Sequence, residues 1–137
     1  MYAHILLAAD GSDNSERAAM EAVKVATSES LVEIVYVISV DDAKLSLLHA
    51  QSSESLFLER RRKLATVERI LRQANVRHKV TMLKGEPGPE IVRYANEQQV
   101  DLVIIGSRGL NSVQEMVLGS VSHKVMKRVQ CPALIVK

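Results

Sequence analysis

Gly106-Ser107-Arg108-Gly109 and, after nine intervening residues, Gly119-Ser120 are the residues whose types and spacing point most directly to a chemistry, the holding of an anion. Gly106 and Gly109 allow a tight turn and a close approach of main chain to ligand that a Cβ would block. Successive N–H groups in such a turn form a concave anion site. Gly119-Ser120 then opens a helix whose unpaired N–H groups and dipole favour a phosphate. The hydroxyls of Ser120 and Ser122 can add donors. Alone, Gly-x-x-Gly is a weak signal, because glycines also serve turns that bind nothing. The spacing is neither that of a Walker loop, since no Gly-Lys-Ser/Thr follows, nor the dinucleotide Gly-x-Gly-x-x-Gly pattern.

The elements around these residues strengthen the reading. Asp101-Leu102-Val103-Ile104-Ile105 is a short apolar run ending at Gly106, the pattern of a strand buried on both faces, and Ile5 to Ala9 is another, ending at Asp10-Gly11-Ser12. Asp13 followed by Glu16 has capping-box spacing, with Ala18, Ala19, Ala22, Val23 and Ala26 at helical intervals. Leu31 to Val40, rich in β-branched residues, reads as a second buried strand. Asp41 to Ser52 reads as an irregular connection, and Ser53 to Ala74 as one long helix with Phe57, Leu64, Val67, Leu71 and Ala74 on its apolar stripe. Arg77 to Leu83 alternates, as expected nearer a sheet edge. Pro89 suits a first helical position, with Ile91, Val92 and Ala95 on one face. A helical turn fits Asn111 to Leu118. A last helix from Ser120 to Val129, with Val121, Val125, Met126 and Val129 inward, precedes a final strand, Ala133 to Val136. Strands alternating with helices predict one α/β domain over residues 1–137, a doubly wound five-stranded parallel sheet with helices on both faces. Ligands of such sheets bind beyond the carboxyl ends of the strands, where the winding reverses. If the first and fourth strands are neighbours there, Asp10 faces the glycine loop.

Composition narrows the alternatives. With 18 basic and 16 acidic side chains, the formal charge is only +2, unlike a dedicated nucleic-acid binder. Trp is absent and Phe57 is the one phenylalanine, so aromatic platforms for stacking bases are scarce. The run Arg60-Arg61-Arg62-Lys63 reads as a solvated helix face, with Glu59 four residues before Lys63 and Glu68 four before Arg72. The lone Cys131 excludes an internal disulfide and reads as a buried thiol. Met1 to His4 runs straight into a strand without a signal-peptide pattern, and no apolar stretch is long enough to span a bilayer, so a cytoplasmic location is expected. His4, His49, His78 and His123 have no metal-ligand spacing.

Gly106-x2-Gly109-x9-Gly119-Ser120 resembles the ATP-binding signature of the universal stress protein family. The resemblance extends over essentially the whole chain: Ile5 to Ser12, Gly85-Glu86-Pro87, Asp101 to Gly109, Leu118 to Ser122 and Cys131-Pro132-Ala133-Leu134-Ile135-Val136. It implies the strand order 3-2-1-4-5, which sets the first and fourth strands side by side. It further implies that Ala8 and Ala9 form part of a pocket wall, that Asp10 contacts the ribose or a Mg²⁺-linked phosphate, and that the main chain of Val37 meets the adenine edge. Gly106, Ser107, Gly109, Gly119, Ser120, Val121 and Ser122 would hold ribose and phosphates. A homodimer through the C-terminal strand is also implied.

Three functions follow as alternatives: a regulatory protein with ATP as switch ligand, a slow Mg²⁺-dependent ATPase, and a nucleotide-free interaction module whose glycines are structural. Hydrolysis would need a positioned water, a metal and charge stabilisation. The sequence shows no clear general base and no lysine in the phosphate loop, so the first alternative leads. Asp10 has a second reading, as the cap of the turn into the first helix through Ser12 or Asn14.

Overall fold

The computed structural model describes residues 1–40, 44, 53–108 and 118–137. The expected connection between residues 41 and 52, Gly109, His49 and the helical turn expected from Asn111 fall wholly or largely outside these residues. Five strands, β1 (His4–Ala8), β2 (Leu31–Ile38), β3 (His78–Lys84), β4 (Leu102–Gly106) and β5 (Ala133–Val136), form one sheet in the order β3-β2-β1-β4-β5. Every pairing is parallel, with Leu6 opposite both Glu33 and Val103. The helices are α1 (Asp13–Val25), α2 (Ser53–Arg62), α3 (Ala65–Gln73), α4 (Pro87–Glu97) and α5 (Ser120–Arg128).

Alternate residues of the central strands feed two cores. Ile5, Leu7, Val32, Ile34 and Ile104 point to the face covered by α1 and α3, where Ala18, Ala19 and Ala22 let α1 lie close to the sheet. Leu6, Ala8, Val35, Val103 and Ile105 point to the face covered by α4 and α5 through Ile91, Ala95 and Val125. Burial on both sides explains why β1, β2 and β4 read as unbroken apolar runs, and why edge strand β3 alternates. Among the described residues no helix is long and apolar enough to cross a membrane.

Five local expectations are corrected. The helix from Ser53 is broken at Lys63-Leu64, where Lys63 N–H and Leu64 N–H bond to the carbonyls of Arg60 and Arg61 in a tighter, three-residue pattern that ends α2. Leu64, Val67 and Leu71 are buried as expected, whereas Phe57, across the break, and Ala74, at the C-cap of α3, are exposed. The first helix is capped by Ser12, whose hydroxyl accepts from Ser15 N–H at 3.3 Å, one residue before the Asp13 position. Pro87, not Pro89, opens α4 behind the N-cap Glu86. Met126 lies on the outer side of α5, 47% exposed, while Val125 is fully buried.

Candidate functional site

The carboxyl ends of β1, β2 and β4 meet at the reversal of winding. β1 and β4 are in register to Ala8 opposite Ile105, so the segments that follow, Asp10-Gly11-Ser12 and Gly106-Ser107, leave the sheet side by side. Ala8 and Ala9 are both buried, with side chains on opposite faces of the sheet. The Ala9 N–H bonds to the Val35 carbonyl at 3.0 Å, and β2 continues to Ile38, so Val37 stands beyond its last registered β1 partner.

The two halves of the glycine signature are fastened together by hydrogen bonds. Gly119 N–H donates to the Ser107 carbonyl at 2.8 Å, and the Ser122 hydroxyl donates to the Gly106 carbonyl at 2.8 Å. Ser107 N–H donates to the Val136 carbonyl at 2.7 Å, which ties the loop to the end of β5. The start of α5 is thereby delivered to the tip of β4. Its first internal bond runs from His123 N–H to the Gly119 carbonyl. Gly119 supplies no side-chain cap, so the N–H groups of Ser120, Val121 and Ser122 point out of the helix end toward this edge. Ser120 is exposed, Val121 half-buried and Ser122 buried, its proton used on Gly106.

Two glycines of the signature, Gly106 and Gly119, are also closely approached by the protein itself. A Cβ at Gly106 would stand 2.8 Å from Asn14 Cβ and 3.0 Å from Asn14 Nδ2, so α1, not a ligand, fills that space. A Cβ at Gly119 would stand 3.3 Å from the Ser107 carbonyl oxygen. Packing of α1 leaves no room for a side chain at Gly106, and the approach of the Ser107 carbonyl makes Gly119 tight as well. Asn14 is the residue sequence reasoning passed over as a site component: 5% exposed, it donates from Nδ2 to Ser107 Oγ at 3.5 Å and accepts from the Arg17 guanidinium. Arg17 Nε also donates to the Lys137 carbonyl at 3.1 Å. Nothing in the bare order of residues marks Asn14, since it sits in an ordinary first helical turn 93 residues from Ser107.

Asp10 is held by its own loop. Its Oδ1 accepts from Ser12 N–H at 3.0 Å and Ser15 Oγ at 2.8 Å, and its N–H donates to Ser15 Oγ at 2.8 Å. The capping reading of Asp10 is thus realised through Ser12, with Ser15 as a second partner. Gly11 follows with φ +83°, the left-handed region, where a side chain would also collide with Lys63 Cβ at 2.8 Å. Elsewhere, burial pushes the Cys131 thiol up from its ordinary value, which opposes a nucleophilic role for this half-buried cysteine.

A second polar cluster, unseen in the sequence, lies at the opposite end of the sheet. Glu33 is fully buried within β2 and accepts hydrogen bonds from His4 Nε2, Thr81 Oγ1 and Tyr94 OH, with Lys79 Nζ at 3.9 Å. Burial alone would raise its pKa; the Thr81, Tyr94 and His4 bonds and the Lys79 charge together hold it below the ordinary carboxylate value.

Known proteins resemble this chain in sequence and fold. The sequence model described as "Universal stress protein family" matches residues 1–137. Universal stress protein YxiE of Bacillus subtilis is 34% identical over 157 residues, covering all of both chains, and universal stress protein MJ0531 of Methanocaldococcus jannaschii is 33% identical, covering 100% of this chain and 83% of that one. The solved structure of MJ0577 superposes with a TM-score of 0.85 at 29% identity, covering 100% of this chain and 96% of that one. More distant structures share the fold. The Archaeoglobus fulgidus universal stress protein in complex with dAMP gives a TM-score of 0.75 at 23% identity, with 99% of this chain and 98% of that one covered. A universal stress protein in complex with cAMP gives 0.70 at 24%, with 98% and 96% covered. An Arabidopsis thaliana member with AMP bound gives 0.69 at 20%, with 98% and 91% covered. With the sheet order, the fastened glycine signature and full-length matches in agreement, the chain belongs to the universal stress protein family.

Proposed function

We propose that this chain is a single-domain regulatory protein that binds an adenine nucleotide, ATP with Mg²⁺ in first place, at the carboxyl edge of its sheet. The observation that carries the proposal is the bonding of Gly119 to Ser107 and of Ser122 to Gly106, which brings the start of α5 to the tip of β4, the neighbour of the strand that leads to Asp10. Such a helix start favours a phosphate through its unpaired donors and its dipole. Nucleotide complexes of distant proteins with this fold support the reading.

In this proposal Ala8, Ala9 and the main chain of Val37 border the base, Asp10 and Gly106 the ribose, and Ser107, Gly109, Gly119, Ser120 and Val121 the phosphates. Ser122 acts by holding Gly106. The nucleotide is held as a switch ligand more than cleaved, because the sequence offers no clear general base for hydrolysis. A homodimer pairing β5 with a second copy accompanies this reading. Light scattering on a sizing column checks that part, and a monomer at every concentration refutes it.

The binding test is direct. The purified protein is denatured, the released small molecules are identified by mass spectrometry, and the refolded or nucleotide-stripped protein is titrated with ATP, ADP, AMP and cAMP by calorimetry. Retained or titratable adenine nucleotide is expected. Neither retention nor binding up to millimolar ligand would refute the proposal.

A further inference from the structure

The glycine loop carries no lysine, yet the fold brings one to its neighbour. Lys63, at the break between α2 and α3, lies across Gly11: a Cβ there would meet Lys63 Cβ at 2.8 Å, its carbonyl oxygen at 3.3 Å and its Cδ at 3.6 Å. The stem of the side chain therefore runs over the Asp10-Gly11-Ser12 loop, while the residue as a whole is exposed. Its position is fixed from both sides. Lys63 N–H bonds to the Arg60 carbonyl at 3.1 Å, and the next residue, Leu64, is fully buried under α1 and the sheet.

The charge of Lys63 is not used within the described fold. Helical spacing suggested Glu59 as its partner, but Glu59 lies instead 3.6 Å from Arg60, and Arg61 pairs with Glu68 at 3.3 Å. The break in the helix accounts for this, since Lys63 no longer sits one regular turn beyond Glu59. Among the described residues Lys63 makes no ion pair. The Cβ and Cδ of Lys63 pack against Gly11, so its ammonium is carried on a stem held beside the β1 loop, next to the strand pair β1–β4.

We propose that Lys63 is the cation for the nucleotide's terminal phosphates, and that it makes the site discriminate by phosphate number. The inference rests on the nucleotide reading above and deepens it. Adenine and ribose are met largely by main chain and gain little from a distant ammonium. Each added phosphate gains a charge-assisted partner, and the gain falls with salt. The loop would thus obtain from the α2–α3 junction the lysine that its own sequence lacks.

The test compares affinities for adenosine, AMP, ADP and ATP in the wild type, Lys63→Met and Lys63→Arg at low and high salt. Methionine keeps the stem that packs on Gly11 and removes the charge. The expected result is a fall of about tenfold in the ratio of ATP to adenosine affinity for Lys63→Met, with most of the ratio kept by Lys63→Arg and the difference shrinking at high salt. An unchanged ratio in Lys63→Met, or parallel loss for adenosine and ATP, would overturn the inference and leave the nucleotide site standing. Absence of binding by the wild type to all four compounds would refute the nucleotide reading itself, and this inference with it.

Discussion

His4 Nε2 donates a 2.8 Å hydrogen bond to Oε1 of Glu33, a carboxylate with no solvent exposure in the interior of β2. The second oxygen accepts from Thr81 on β3 and Tyr94 on α4, so one anion joins three strands and a helix. A buried charge is tolerated only when it is paired and fully hydrogen-bonded, and here four partners supply both conditions. The groups around it are His4 from β1, Lys79 and Thr81 from β3 and Tyr94 from α4, with Asp101 bonded to the His4 main chain at 2.8 Å.

This anion gives the fold an acid limit. Its pKa is depressed in the folded state, so its contribution is present above the ordinary carboxylate value and is lost as pH falls through the lower folded value. Urea unfolding across a pH series should show stability dropping below about pH 4. Glu33→Gln should flatten that drop at a cost of about 1 kcal/mol near neutrality, because the amide oxygen can still accept from Thr81 and Tyr94 while His4 changes tautomer to accept from the amide. Glu33→Ala strands the buried donors and should cost about 3 kcal/mol. An undiminished acid drop in Glu33→Gln would show that another carboxylate is responsible.

The contact between Gly106 and Asn14 makes an equally specific prediction. Gly106→Ala places a methyl 2.8 Å from Asn14 Cβ, and neither β1–β4 register nor the start of α1 can yield freely. A loss of about 1–3 kcal/mol in chemical denaturation is expected, together with weaker nucleotide binding. Asn14→Ala keeps the offending Cβ and should not rescue Gly106→Ala, whereas Asn14→Gly removes it and should, apart from about 1 kcal/mol for glycine in a helix. Rescue by Asn14→Ala would mean that the amide, not the Cβ, sets the limit.

These two cases show which features were legible in the sequence. The buried strands announced themselves because burial on both faces demands uninterrupted apolar residues, and Arg77 to Leu83 alternated because β3 is an edge. The glycine spacing revealed the cradle, since backbone demands leave a mark at fixed local intervals. Glu33, by contrast, looked like a polar interruption, because its partners Thr81 and Tyr94 lie 48 and 61 residues away and hydrogen bonding at that separation has no local pattern. The helix break at Lys63 was hidden for a related reason: Phe57 and Leu64 are in phase on a continuous helix, and only the packing of Leu64 and the approach to Gly11 interrupt it.

Gln99 offers a stabilising change distant from the site. It follows α4 with φ +51°, a left-handed conformation costly for a residue with a Cβ, while Val100 N–H reaches back to the Ala95 carbonyl at 3.2 Å in the pattern of a helix stop. Gln99→Gly removes the strain at that position and should raise stability by about 1 kcal/mol without altering nucleotide affinity. A thermal melt decides it, and a lower melting temperature would show that the glutamine side chain contributes more than its backbone conformation costs.

Asp10 separates loop building from ligand chemistry. Its Oδ1 accepts from Ser12 N–H and Ser15 Oγ, and Asp10→Asn preserves an acceptor at that place while removing the charge. Asp10→Ala removes both, so it should lose about 1–2 kcal/mol of stability and weaken binding of every adenine compound by disordering the turn. If the carboxylate also engages a nucleotide-bound Mg²⁺, Asp10→Asn should retain near wild-type stability and affinity for adenosine, yet lose the Mg²⁺-dependent part of ATP affinity. Calorimetry with ATP in the presence of Mg²⁺ and of a chelator reads that difference. Equal Mg²⁺ dependence in the wild type and Asp10→Asn would assign Asp10 to the turn alone and place any metal elsewhere on the phosphates.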